Sequence, residues 1–387
     1  MLLETFISAY ELHGQPRLQQ AVEFLSENSS TVAATTGTAI ALYLALVRYL
    51  RFKYVRELHR KYPDPSVVLK DAYIAEEIYD ITVRREFPAI ARQSLEMALF
   101  KTYSVPSISK ILAATNQFSN DTAKRVEDTE LILAEVVDAY PHIQQAKRRK
   151  PNLTEEQISE QRKRADDALN RMNDIHSQYQ ISNGDYLYTL MLFIAEPIKW
   201  INKYEWRVLD EREINAIYRV WYDIGVKMKI KDIPDTVEGV LKFQEEYGKA
   251  HVSYHPNNWK VGEPTLLHVL TRVPSILRPL FKPAAYALLP CVLEDIDIDG
   301  FGLQHPSPWL KKTVQWVLAV RAFVVRNTLL PRFTSKVRTP LEKNEMGLYT
   351  PNFHVYPKIV YPNGYCILEL GPKRSKPAKC PIPHGAV

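Results

Sequence analysis

The residue with the most chemical potential in this chain is a histidine on an apolar helical stripe. In ADDALNRMNDIHSQYQ, residues 165–180, Leu169, Met172 and His176 fall at i, i+3 and i+7, and Ala165, Ala168 and Tyr179 extend the same face. His176 therefore turns inward, where an imidazole needs a partner for each ring nitrogen. A metal or haem iron is one such partner, and a hydrogen bond to a neighbouring helix is the other; spacing alone leaves both open. Arg125 and Thr129 form a second candidate pair. They lie four apart on a helix expected over 121–140, on a face that continues into Ile132, Leu133 and Val136. A guanidinium and a hydroxyl at the end of an apolar wall can orient a small polar ligand such as dioxygen. The ordinary alternative is a salt bridge from Arg125 and a bond from Thr129 back to its own helix.

Other groupings fail on spacing. DIDIDG, residues 295–300, opens like a calcium loop, but Pro306 stands where a bidentate glutamate is required, so a turn is expected. His251 and His255 are four apart with Pro256 behind them, which reads as a helix end. GxGxxG, P-loop and GxSxG sequences do not occur. Cys291, Cys366 and Cys380 are odd in number and widely spaced, which argues against a disulfide framework or zinc ribbon.

The elements that must position these residues are helical. Glycine is scarce, 13 in 387 residues, and strand-like alternation is missing before the last fifty. An all-α protein is expected: one large helical domain preceded by one transmembrane helix. Residues 1–27 read as short amphipathic helices on the lumenal side. Residues 28–47 carry no charge and are long enough to span a bilayer. Arg48, Arg51, Lys53, Arg56, Arg60 and Lys61 against Glu57 then give +5, most of the chain's net +6. That places the excess charge in a juxtamembrane linker, 48–65, and not on a nucleic-acid-binding face. It also holds the following domain in the cytosol by the positive-inside rule. A buried core helix with a basic cap is the other reading of 28–47.

The catalytic domain is expected over 66–346, with helices at 67–84, 87–103, 121–140, 185–201 and 210–228. Thr154 and Gln157 form a capping box for the His176 helix, and the basic run at 147–150 reads as a solvated loop. Prolines at 274, 279, 283 and 290 break an apolar stretch, and part of it (276–290) suits an interfacial entry route. Arg321 and Arg326 exclude 308–330 as a span. Residues 347–387 read as an extended tail.

Several segments carry a family resemblance. EFP at 86–88, ALFKTYSVPSISKIL, RVEDT, DIHSQYQ, DYLYTLMLFIAEPIKWINKYEWR and HPSPW together resemble the MpaB-type endoplasmic-reticulum-bound fungal oxygenases of mycophenolic acid biosynthesis. Those enzymes are similar in catalytic domain to the latex-clearing rubber oxygenases. The signature is Arg-x-x-x-Thr with a later helical histidine, here Arg125, Thr129 and His176. The resemblance implies a globin-like haem-binding core, haem b with His176 as axial iron ligand, and Arg125 and Thr129 on the side of the co-substrate dioxygen. An axial histidine is ordinarily held by a hydrogen bond at its other ring nitrogen. Some rubber oxygenases carry a lysine before the threonine that closes off the iron; Asp128 stands here, so a lysine-capped state is not expected. The implied activity is oxidative cleavage of a carbon–carbon double bond in a prenyl chain, by an enzyme anchored once in the endoplasmic reticulum membrane. A hydroxylase of the same family and a non-catalytic binding protein of the same fold are the rivals. Substrate, redox partner and oligomeric state are left open.

Overall fold

Apolar spacing sets the helices of this chain, and prolines and side-chain caps set their ends. The structure, a computed structural model, describes residues 29–372 and divides into two units.

The smaller unit holds 29–59 and Phe323–Pro331. Helix α1, Ser29–Arg51, buries only Val47 and Arg51. Among the described residues, the helical run Ser29–Lys61 is the one long and apolar enough to cross a membrane. Two of its four threonines bond back to their own helix, Thr35 to the Thr31 carbonyl at 2.9 Å and Thr38 to Ala34 at 2.8 Å. These two hydroxyl protons are then not left unpaired in an apolar medium. The basic segment is helical as well: α2 runs Lys53–Lys61 and buries Tyr54 and Leu58, four apart, until Pro63 ends it. Arg51 donates to the carbonyls of Leu329 and Leu330 at 2.9 and 3.0 Å. Residues 1–28, including the expected lumenal helices, lie outside the described residues.

The larger unit holds Arg60–Ala322 and 332–372. It opens with α3, Val67–Lys70, and α4, Ala72–Asp80, whose first amides are capped by Asp71 at 2.8 Å from Tyr73 N. A π-helical turn, Ile81–Glu86, leads into α5, Pro88–Thr102. Then come α6, Pro106–Ala114, α7, Gln117–Asn120, and α8, Thr122–Val137, capped by Asp121. Helix α9, Ala139–Arg149, carries Lys147, Arg148 and Arg149 in its last turn and not in a loop, since Pro141 sits in the tolerant first turn and no further breaker comes before Pro151. Helix α10, Glu155–His176, starts on the expected Thr154–Gln157 capping box.

Helix α11, Asn183–Tyr204, is buried on nearly every face and is the spine of the unit. It packs against α5, against α12, Glu211–Lys227, and against α13, Val237–His251. Gly225 permits the α11–α12 approach, because a Cβ there would run into Leu190. Helices α14, Pro256–Val269, α15, Arg278–Leu288, α16, Asp295–Phe301, and α17, Pro308–Thr328, follow.

The expected turn at DIDIDG is helix α16. Its Asp297 is fully buried and lies 3.4 Å from Lys101, which also meets Glu196 of α11 at 2.8 Å. A buried ammonium shared by α5, α11 and α16 overrides the local turn signal. Residues 347–372 are mostly irregular, with one antiparallel bridge, Tyr349 to Tyr365, and no sheet among the described residues. The all-α expectation holds.

Candidate active-site cavity

The larger unit encloses a cavity of about 1180 Å³, walled mainly by apolar side chains such as Phe100, Phe118, Ile132, Leu190 and Phe193. Arg125, Thr129 and His176 all line it. Two elements bring them together. Helix α8 supplies the first two, α10 supplies the histidine as its last residue, and the two helices pack along each other.

Their register is locked from outside. Glu135 of α8 takes a bidentate pair from Arg164 of α10 at 2.7 and 2.6 Å, and Tyr365 of the tail donates to the same carboxylate at 2.5 Å. Arg338 grips Glu127 of α8 at 2.7 Å, and Arg171 of α10 donates to the Leu370 carbonyl at 2.8 Å. The extended tail thus ties down both site helices.

Around His176 the geometry is apolar. Leu169, Met172, Ala165 and Ala168 are buried, as the stripe requires. The ring is half-buried and stands edge-on to Tyr186, with centroids 5.7 Å apart. Its Nδ1 is sealed off without a hydrogen-bond partner, so the expected bond at this nitrogen is absent; Tyr186 and the helix end hold the ring instead. Nε2 is the nitrogen left to face a ligand. Burial first, and the nearby Arg125 charge second, push the imidazole down to about 4. At neutral pH it is uncharged, the form that donates a lone pair to a metal.

Arg125 makes no ion pair among the described residues. Its guanidinium lies 5.6 Å from the Phe118 ring centre and donates to Thr129 Oγ1. Thr129 gives its own proton to the Arg125 carbonyl at 2.8 Å. The back-bond anticipated for Thr129 is therefore present, while the anticipated salt bridge for Arg125 is not. The remaining guanidinium N–H groups are free donors on this wall. Asp128 takes a bond from Lys124 at 2.5 Å and another from Tyr361. Burial raises its carboxyl above the ordinary range.

A second histidine shares the cavity and was not anticipated. His268 of α14 is buried, lies against Tyr356 with ring centres 4.0 Å apart, and has an Nε2 without a partner. Burial, then Arg272, pushes it down to about 4. Its sequence signal, a lone histidine inside LLHVL, was of the kind that marked His176. His251 ends α13, and the His255 side chain caps α14 at 3.1 Å from Asn257 N, as a helix-end reading requires. No group of three or more acidic, histidine or cysteine side chains suited to a metal occurs among the described residues.

The residues present suit a haem. A neutral histidine stands at the wall with its Nδ1 sealed and its Nε2 left for a ligand, and the volume exceeds the roughly 300–1,000 Å³ of ordinary ligand pockets. Arg332 and Lys336 line the same cavity without acidic partners among the described residues, which suits a cofactor that carries carboxylates.

No known family model matches the chain. It is 28% identical over 312 residues to "ER-bound oxygenase mpaB'" of Penicillium brevicompactum, covering 75% of this chain and 68% of that relative. It is 33% identical over 192 residues to "ER-bound oxygenase mpaB" of the same species, a match spanning 44% of that relative's length. It is 28% identical over 265 residues to the protein of that name in Penicillium roqueforti (strain FM164), covering 63% of this chain and 82% of the relative. Matches of this extent make the chain a relative of the MpaB-type ER-bound oxygenases, and an oxidoreductase.

Proposed function

We propose that the chain is a membrane-tethered, haem-dependent oxygenase that uses dioxygen to cleave a carbon–carbon double bond in a prenyl-type chain. The observation that carries this reading is the large apolar cavity holding His176, Arg125 and Thr129 together. His176 would hold the iron through Nε2, and the bound haem would supply the activation of dioxygen.

The chain's own residues then have separate tasks. The apolar walls take a greasy substrate and exclude water, so a polar co-substrate meets few competing hydrogen bonds. Arg125 presents N–H donors into that dry space, where a charge-assisted hydrogen bond is worth more than in water. Thr129 fixes the guanidinium by accepting one of its bonds. Lys124 is held by Asp128, Tyr361 and the Gly371 carbonyl, the last two at 3.1 and 3.2 Å. It is therefore not free to cap a metal. The apolar run α1 with its basic flank supports a single-pass anchor in the endoplasmic reticulum membrane, with the larger unit in the cytosol.

An absorption spectrum of the detergent-solubilised chain, produced with added haem precursor, tests the reading. A Soret band that shifts on dithionite is expected, together with oxygen uptake and two carbonyl fragments from a prenylated substrate. A colourless protein after haem supplementation contradicts it.

A further inference from the structure

Two helices have no buried residue at all: α15, and α17, whose residues 308–322 belong to the larger unit. Their outward side chains are large and apolar. Ile276 just before α15 is 85% exposed, Leu280 74%, Trp309 74% and Trp316 66%. Patches of this kind on a monomer mark a binding surface. Neither helix contains an acidic residue, while Arg278, Lys282, Lys311, Lys312, Arg321 and Arg326 supply six cations, of which Arg321 pairs with Glu205 at 3.0 Å and Lys311 lies 3.5 Å from Asp295. Tryptophan and leucine beside lysine and arginine are the composition of a segment lying in a bilayer interface with an anionic leaflet. A lipid surface is also within reach, because the same chain carries the candidate span Ser29–Lys61.

The inner sides of these helices are cavity wall. Ala285 and Leu288 of α15, and Leu310, Val314 and Val317 of α17, line the 1180 Å³ space. Leu288 and Val317 belong to both faces, 42% and 53% exposed, so the wall here is one side chain thick.

We propose that the outer face of α15 and of residues 308–322 docks into the interfacial layer of an anionic bilayer, which puts the thin wall of the cavity against lipid and not water. The proposal rests on surface composition and cavity walls and stands whatever cofactor the cavity holds. It gives a lipophilic substrate a path that never crosses the aqueous phase.

Nitroxide labels test it in the full-length chain, reconstituted into phosphatidylcholine–phosphatidylserine liposomes, with Cys366 and Cys380 changed to serine. Labels at Leu280→Cys and Trp316→Cys should collide more with oxygen than with a water-soluble nickel chelate. A label at Lys242→Cys, on an exposed turn of α13, should do the reverse. Labels at 280 and 316 that behave like the one at 242 overturn the proposal. So do labels shielded from both reagents, which would show protein, either a second copy or another part of this chain, on that face.

Discussion

At the scale of single residues, burial decides what each candidate can do. His176 is uncharged at neutral pH because its surroundings are apolar and a guanidinium is near. Arg125 has no acidic partner among the described residues, an arrangement that suits a guanidinium held for a ligand. Arg125→Ala is therefore expected to keep the cofactor complement near wild type and to lower turnover tenfold or more, a loss of at least about 1.4 kcal/mol of transition-state stabilisation. Haem content and oxygen uptake measured on one preparation check it. Failure of the variant to fold would return Arg125 to a structural role. The role of Thr129 is narrower than its spacing suggested. Its proton is committed to the Arg125 carbonyl, so Thr129→Val should weaken activity by misplacing Arg125, and the double variant should be little worse than Arg125→Ala alone.

At the scale of elements, ionic ties hold the helices where the site needs them. Lys101, almost fully buried, meets Glu196 at 2.8 Å, Glu294 at 3.2 Å and Asp297 at 3.4 Å, joining α5, α11 and α16. Those carboxylates hold the ammonium well above its usual range, while burial pushes Asp297 up to about 6. Lys101→Met strands three acids, and about 3–5 kcal/mol of stability should be lost. Denaturant unfolding of solubilised protein measures this, and a variant as stable as wild type would show that the acids simply take up protons.

Elements of this kind explain what was and was not legible in the sequence. The stripe through Leu169, Met172 and His176 is local, and so are the Thr154–Gln157 box and the proline-started helices, so periodicity and caps revealed them. Arg338 to Glu127 and Arg171 to Leu370 join positions about two hundred residues apart. Such pairs leave no periodic trace, and the tail's hold on α8 and α10 was invisible. DIDIDG misled for the same reason: its partner, Lys101, lies far away in sequence. His268 was overlooked although its own flank, LLHVL, carried the apolar signal that had marked His176.

At the scale of the whole molecule, the chain joins an apolar span, a basic flank and a large helical unit with a greasy interior. The charge asymmetry predicts that protease added to intact microsomes digests the bulk of the chain and spares a small N-terminal fragment. Protection of the large unit would reverse the orientation, and release of intact protein by carbonate would remove the anchor. Two neutral histidines with orphaned nitrogens share one cavity, and either could meet a metal. Only one stands at the end of α10, beside Arg125. A haem held there would also stabilise the fold by mass action, by about 4 kcal/mol at a thousand times Kd. The decisive measurement is haem content and Soret absorption of His176→Ala and His268→Ala beside wild type, purified at equal haem supply. The account predicts that His176→Ala loses the haem, the Soret band and several degrees of thermal stability while His268→Ala keeps a full complement. A His176→Ala protein with an unchanged spectrum, above all if His268→Ala is colourless, would contradict it.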